Sequence, residues 1–428
     1  MKVLDTVLFN FHQLLSHRRV LRKIALFAFR GPLFNFINPI FLRVFFNTIG
    51  KINTEKVRVD VGIEGTKNHI NMALNWITVN QTLQPDDGVS STTTFFLGRI
   101  VNSGSFPEVT GYIIKTLFDY ANIFNSSACF ESALKAADFE LRFQNSDGSF
   151  PEGVVGALRG PSVFNTGQIV HGLNRAYRES EDEKYLEACI KACNWIIKVQ
   201  RADGAWRAFN YRNIARTYDS KVSESLLEVA RITNDDKYID AAKRNLNFVI
   251  SNQKKNGWFY NCDNTIENNH IPLLHLIGYT IDGLLNSYII LHEEIYLESS
   301  RKVLEKLLHK FEIEKTPLSG RHSSTWTSSS KSICVTGLAQ ISLCWSIMYE
   351  ITEDFRFLNA AFKMNDVLKS MQLKFGGKKI RGSLPGSYPF WGEYSSYAIN
   401  SWGVKYFIDS LLKEYRIKKE LDSIYSKK

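Results

Sequence analysis

Two carboxylates sit among aromatic and hydrogen-bonding neighbours: Glu108 in "FPEVTGY" and Glu393 in "FWGEYSSY". Two carboxyl groups facing each other across a cavity can cleave a glycosidic bond. Either can also act as general acid or base in a proton abstraction, and Glu152 could replace either. His275 and Tyr279 add an imidazole and a phenol, so Glu108, His275, Tyr279 and Glu393 form the expected catalytic set. Tyr112, Asn165, Gln168, His171, Arg207, Tyr218, His270, His322, Trp326, Arg381, Trp391, Tyr397 and Asn400 are expected to bind substrate. Aromatic faces with polar side chains suit a sugar, which offers C–H faces and a rim of hydroxyls. Arg159, Arg207, Arg212, Arg321 and Arg381 point to an anionic one, because a guanidinium fork matches a uronate or a phosphate. Lyase, epimerase and hydrolase reactions all stay open. The plain alternatives are core histidines, arginines held in ion pairs, and a Glu108 that only complements a helix dipole.

These residues lie far apart along the chain and matter only if the fold collects them. A repeat indicates that it does. Gln84-Pro-Asp-Asp-Gly88, Gln144-Asn-Ser-Asp-Gly148 and Gln200-Arg-Ala-Asp-Gly204 share Q-x-x-D-G, and Gln253-Lys-Lys-Asn-Gly257 varies it. Gln372 follows about two periods later, before "FGG". Each copy follows an amphipathic stretch such as "DEKYLEACIKACNWIIKVQ", and Gly stops the helix by adopting the left-handed conformation. Half a period out of step, Thr110-Gly111, Thr166-Gly167, Ser220, Gly278, Thr336-Gly337 and Ser401 open helices with few charges. Their Ser or Thr is expected to cap free N–H groups, and the small residues to allow close helix approach. The charge-poor helices read as inner and the others as outer. Six of each close into a ring only if 398–415 pairs with 67–81.

The helix–QxxDG–aromatic repeat resembles the α/α toroids: terpenoid cyclases, prenyltransferase β-subunits and six-hairpin glycosidases. Over residues 65–415, "SGSFPEVTGYIIKTLFDYA", "FNTGQIVHGLNRAY" and "RGSLPGSYPFWGEYSSYAINSWGVKYFIDSLL" are similar to a toroid family associated with surface-polysaccharide genes. The resemblance implies an all-α, (α/α)6 toroid over 61–416, with the candidate residues in rim loops around a central funnel. It further implies a carbohydrate-active enzyme working on a surface or capsular polysaccharide or its precursor. The alternatives are a non-catalytic glycan-binding or assembly protein and an isoprenoid-handling toroid. Squalene-type cyclases use an acidic D-x-D-D box, which is absent here, and no Cys/His set clearly marks zinc. No cofactor or metal is expected.

Residues 1–60 hold ten Lys or Arg against three acidic residues, so most of the net charge of +10 lies there. The stretch "HRRVLRKIALFAFRGPLFNFINPIFLRVFF" is basic and aromatic, but its charges interrupt any membrane-spanning run. It reads either as a segment on an anionic membrane surface or as a helical arm packed on the ring. Neither a signal-peptide core nor a cleavage site is evident. Residues 417–428 read as a basic tail. Six cysteines without CxxC spacing suit a reducing, cytoplasmic compartment. No basic–aromatic stripe marks a nucleic-acid partner outside the first sixty residues.

Overall fold

The computed structural model describes residues 29–60 and 62–426. After an arm helix α1 (Pro39–Asn47), twelve helices alternate between two layers. The outer ones are α2 (Ile63–Thr82), α4 (Ser127–Leu141), α6 (Glu183–Lys198), α8 (Asp236–Ser251), α10 (Glu294–Glu314) and α12 (Phe355–Met371). The inner ones are α3 (Pro107–Phe124), α5 (Val163–Ser180), α7 (Ser220–Thr233), α9 (Leu274–Leu291), α11 (Val335–Thr352) and α13 (Ser401–Tyr425). Inner helices pack in sequence from α3 to α13, and α13 returns to both α3 and α2. The ring is closed as the repeat predicts: an all-α (α/α)6 toroid.

The turns explain the repeat. At the inner-to-outer junctions Asn125, Glu181, Asn234, His292 and Glu353 take left-handed φ values of 53–57°. In four of these junctions the next residue but one opens the outer helix under a side-chain cap from Ser126, Asp182, Asp235 or Asp354. At the outer-to-inner junctions the repeated glutamine acts as a staple. The Gln200 amide donates to Gly204 O at 3.0 Å, within its own turn, and to Ala241 O at 2.9 Å, on the next outer helix. Gln144 and Gln253 repeat this on Gly148 and Ala188, and on Gly257 and Ser299. Gln372 stapled to Gly382 and His69 carries the pattern across the closure. In the first copy Gln81, not Gln84, makes the staple, to Asp87 and Ser132; the turn there is longer. Gly204 sits at φ +82°, and a Cβ would stand 2.2 Å from Arg244 O, so the turn needs glycine for conformation and for contact. Trp206 folds back so that its indole N–H donates to Ile196 O.

Replacing Gln200 by Leu is expected to remove both amide hydrogen bonds that tie the turn to the next outer helix, leaving Gly204 O only its bond from Asn245. The cost is about 1–3 kcal/mol of stability, measurable by urea unfolding, with the helical circular dichroism of the folded state unchanged.

The small residues at the inner-helix starts act as expected in packing: a Cβ on Gly111 would lie 2.7 Å from Ile169 Cα of the neighbouring helix. The threonines do not cap their own helices. Thr110 and Thr166 accept from Val89 N and Phe150 N, clamping the incoming loop, and donate to carbonyls four residues back.

The rim carries short strands that the helical pattern hides. β1 (Thr92–Phe96) pairs antiparallel with β2 (Arg99–Asn102) and with the strand Ala398–Asn400 that leads into α13. Residues 29–60 pack on this rim as an arm: Phe41 is buried against Phe95, Phe390 and Tyr397, and Asn38 donates to Gly98 O. Residues 1–28, half of the expected arm, lie outside the described residues. The expected tail at 417–428 is instead a continuation of α13 to Tyr425. One described helix, α9, is long and apolar enough to cross a membrane, and it is an inner helix mostly buried in the ring.

Candidate active site

Several inner helices converge on a central cavity of about 300 Å³ through their N-terminal turns. Glu108 and Tyr112 lie on the first turns of α3, behind Pro107 at its first position. Asn165 lies on α5, His275 and Tyr279 on α9, and Trp402 on α13, while Tyr218, Asn264 and Tyr394 come from the loops between. Of the expected residues, Glu108, His275, Tyr279, Tyr112, Asn165 and Tyr218 share this wall.

Glu108 borders the cavity in protein-lined surroundings. Burial pushes its carboxyl up to about 8, and the charge of Glu152 across the wall adds to the rise. Such a group is protonated at neutral pH and can donate. Glu152 is ion-paired to Arg159. Burial pulls the His275 imidazole down to about 4, against a smaller upward pull from its hydrogen bond to Gln340. With Gln340 Oε1 accepting at 2.8 Å from Nδ1, the proton is fixed on Nδ1 and the lone pair is left on Nε2. His275 is thus a neutral base at pH 7.

The phenols line the rest. The His275 ring lies 4.5 Å from that of Tyr279 and 5.3 Å from that of Tyr394. Trp402 donates to Tyr394 Oη at 2.6 Å, and Tyr218 donates to Asn264 at 2.8 Å. Burial holds Tyr112, Tyr218, Tyr279 and Tyr394 well above the usual phenol range, so they act as neutral donors, Tyr279 included.

Other expectations are corrected. Glu393 is mostly exposed and bonds Arg321 at 3.2 Å, away from the cavity lining. Gln168 and His171 lie deeper, on a second chamber of about 270 Å³ beyond Tyr112, which borders both chambers. Arg207 pairs with Asp203, and Arg321 with Asp263. His270 lines an outer groove beside Trp258 and Tyr260. His322 is fully buried near Trp326, whose indole donates to Asn256 O. Trp391 lies tilted against Phe45, and Tyr397 packs in the arm contact. Asn400 is buried at the start of α13 and donates to Ser395; Arg381 is exposed. The cavity lining contains no Lys or Arg, because the rim arginines are held by acids or face solvent. The arginines expected to hold an anionic substrate therefore do not line this cavity. Carboxyls inside the cavity also count against an isoprenoid tunnel.

The deeper chamber forms the floor. Lys221 bridges Glu224 and Asp282, Lys405 pairs with Asp409 at 2.7 Å, and His171 bonds Glu228 at 2.7 Å. The ligand atoms of His171, Glu224 and Glu228 lie within 4.8 Å of one another. The Lys221 ammonium already supplies the positive charge that a cation would bring there.

A family model described as the catalytic domain of GH127 β-L-arabinofuranosidases matches residues 114–313, from α3 to α10. No curated protein matches. Among solved structures the chain is similar to an unsaturated glucuronyl hydrolase specific for heparin, at TM-score 0.64 and 13% identity, covering 84% of this chain and 99% of that one. It is also similar to the unsaturated glucuronyl hydrolase of Streptococcus agalactiae, at TM-score 0.62 and 12% identity, over 86% and 96%. Cellobiose 2-epimerase from Bacillus thermoamylovorans B4167 aligns at TM-score 0.62 and 12% identity, over 82% and 99%. The fold is therefore the six-hairpin α/α toroid of the glycosidase type, and these matches support a carbohydrate-active enzyme.

Proposed function

We propose that the protein is a carbohydrate-active enzyme that works by acid/base catalysis on a neutral sugar unit held in the funnel, with glycoside hydrolysis as the leading reaction. The observation that carries this is one cavity holding a carboxyl protonated at pH 7, Glu108, and a neutral imidazole, His275. Glu108 gives its proton to the glycosidic oxygen as the C–O bond breaks. Water attacks the anomeric carbon and passes a proton to His275 Nε2. The phenols and Trp402 offer faces and donors to the ring. The cavity's size suits one or two sugar units.

Epimerisation is the second reading, favoured by an acid and a free nitrogen base lining one cavity: His275 removes a proton beside a carbonyl and Glu108 returns one to the other face. A surface or capsular polysaccharide, or its precursor, as the source of the sugar rests on the sequence resemblance and belongs to this proposal. So does a cytoplasmic location, which six buried free thiols suit.

Proton NMR in D2O on a panel of neutral and uronate-containing oligosaccharides separates the outcomes. Hydrolysis yields new reducing ends, and epimerisation yields deuterium beside the carbonyl. Saturable binding without either product would make this a glycan-binding protein and overturn the enzymatic reading.

A further inference from the structure

The arm presents one face that nothing in the chain's described residues covers. Leu33, Phe34, Phe36, Ile37, Phe46 and Ile49 are all exposed, Ile37 at 81% and Phe46 at 58%. Ring contacts join part of this set. The Phe36 ring lies 6.0 Å from Phe45, Phe45 lies 5.6 Å from Phe46, and Trp391 lies tilted against Phe45 at 4.7 Å. A Cβ on Gly98 would stand 2.7 Å from Ile37, which joins the exposed Leu97 of the β1–β2 turn to the same face. Exposed aromatics on this scale mark an interaction site.

The charge around them says of what kind. Residues 6–54 include seven Lys or Arg and no Asp or Glu. Within the described arm, Arg43 and Lys51 are exposed, and Arg99 flanks them on β2. A protein partner's surface would carry mixed charge. Large apolar side chains beside an excess of cations, with Glu55 tied to Lys363 and Glu393 to Arg321, match the boundary between acyl chains and anionic headgroups.

We propose that this face docks the protein on an anionic lipid bilayer. The side chains of the arm enter the headgroup layer while the basic residues meet the lipid phosphates. The last rim loop then links the membrane to the cavity, since Trp391 lies in the docking face and Tyr394 in the cavity wall. A sugar carried on a membrane lipid would reach the funnel without leaving the surface. The docking itself stands apart from the catalytic reading and is tested without it.

The 428-residue chain is floated with vesicles of phosphatidylcholine alone, or with phosphatidylglycerol added, at low and high salt. The wild type is expected to partition at least about tenfold better onto the anionic vesicles, and to lose most of that gain in high salt. Ile37→Glu with Phe46→Glu, both at exposed positions, is expected to lower binding about tenfold or more with an unchanged melting curve. The proposal is overturned if the wild type stays with neither vesicle, or if the double variant binds as the wild type does. It is equally overturned if light scattering finds a dimer that the double variant breaks, because a second copy would then cover the face.

Discussion

Glu108→Gln is expected to lower turnover by about 10²–10⁴-fold while leaving the protein folded and more stable at neutral pH. The first effect follows from removing the proton donor while keeping its shape. The second follows from linkage. In the folded chain the carboxyl holds its proton up to about 8, against an ordinary 4.5. Ionising it therefore costs folded-state stability as pH rises through that interval. Glutamine carries no such cost. The stability gap between variant and wild type should be near zero below pH 4.5, widen toward pH 8 and level off above it. A purely structural Glu108, placed only to complement the helix dipole, would be anionic and stabilising, and the substitution would lower the melting temperature instead. Thermal melts at several pH values distinguish these outcomes, with turnover of the best substrate measured on the same samples.

His275→Gln is expected to cost about 10²–10³-fold in kcat/KM, and the wild-type pH profile should explain why. With the imidazole pulled down to about 4 and the Glu108 carboxyl raised to about 8, the active form is neutral histidine with protonated carboxyl. The profile should rise near pH 4, stay flat, and fall near pH 8. The variant should lose the acid limb with most of its rate and keep the alkaline limb. If instead Glu108 were the base, activity would rise near pH 8.

Much of this architecture is legible in the sequence because its causes are local. The glutamine staple needs its own turn and one carbonyl of the next outer helix, so it recurs at five of the six outer-to-inner junctions and is missing only after α10, where the chain reads "EKTPLSG". Gln372 discloses the closure for the same reason. Half of the cavity wall is legible too. Glu108 and Tyr112 stand three before and one after Gly111, and His275 and Tyr279 hold the same places around Gly278. That i, i+4 pair presents one face of each inner helix to the cavity. Phe164 stands at the first of these places on α5 and lines the cavity as an apolar member of the wall. Trp402, one residue past the α13 opener, was open to the same reasoning. Gln168 holds the second place, yet it faces the deeper chamber.

The long rim loops are where residue type misleads. Arg321 and Glu393 satisfy each other, Arg207 finds Asp203, and Trp391 turns outward to Phe45. Which of several charged loop residues pair with one another depends on contacts between segments distant in the chain, for which spacing carries no signal. The strand pairing of 92–96 with 398–400 is of the same kind.

Catalysis depends on one protonation state, and carbon NMR of protein labelled at the glutamate side-chain carboxyl reads it directly. The Glu108 resonance is assigned by its loss in Glu108→Gln. Titration of that carboxyl near pH 8 is the predicted result. Titration near 4.5 would leave the cavity with no acid at neutral pH and would contradict the mechanism.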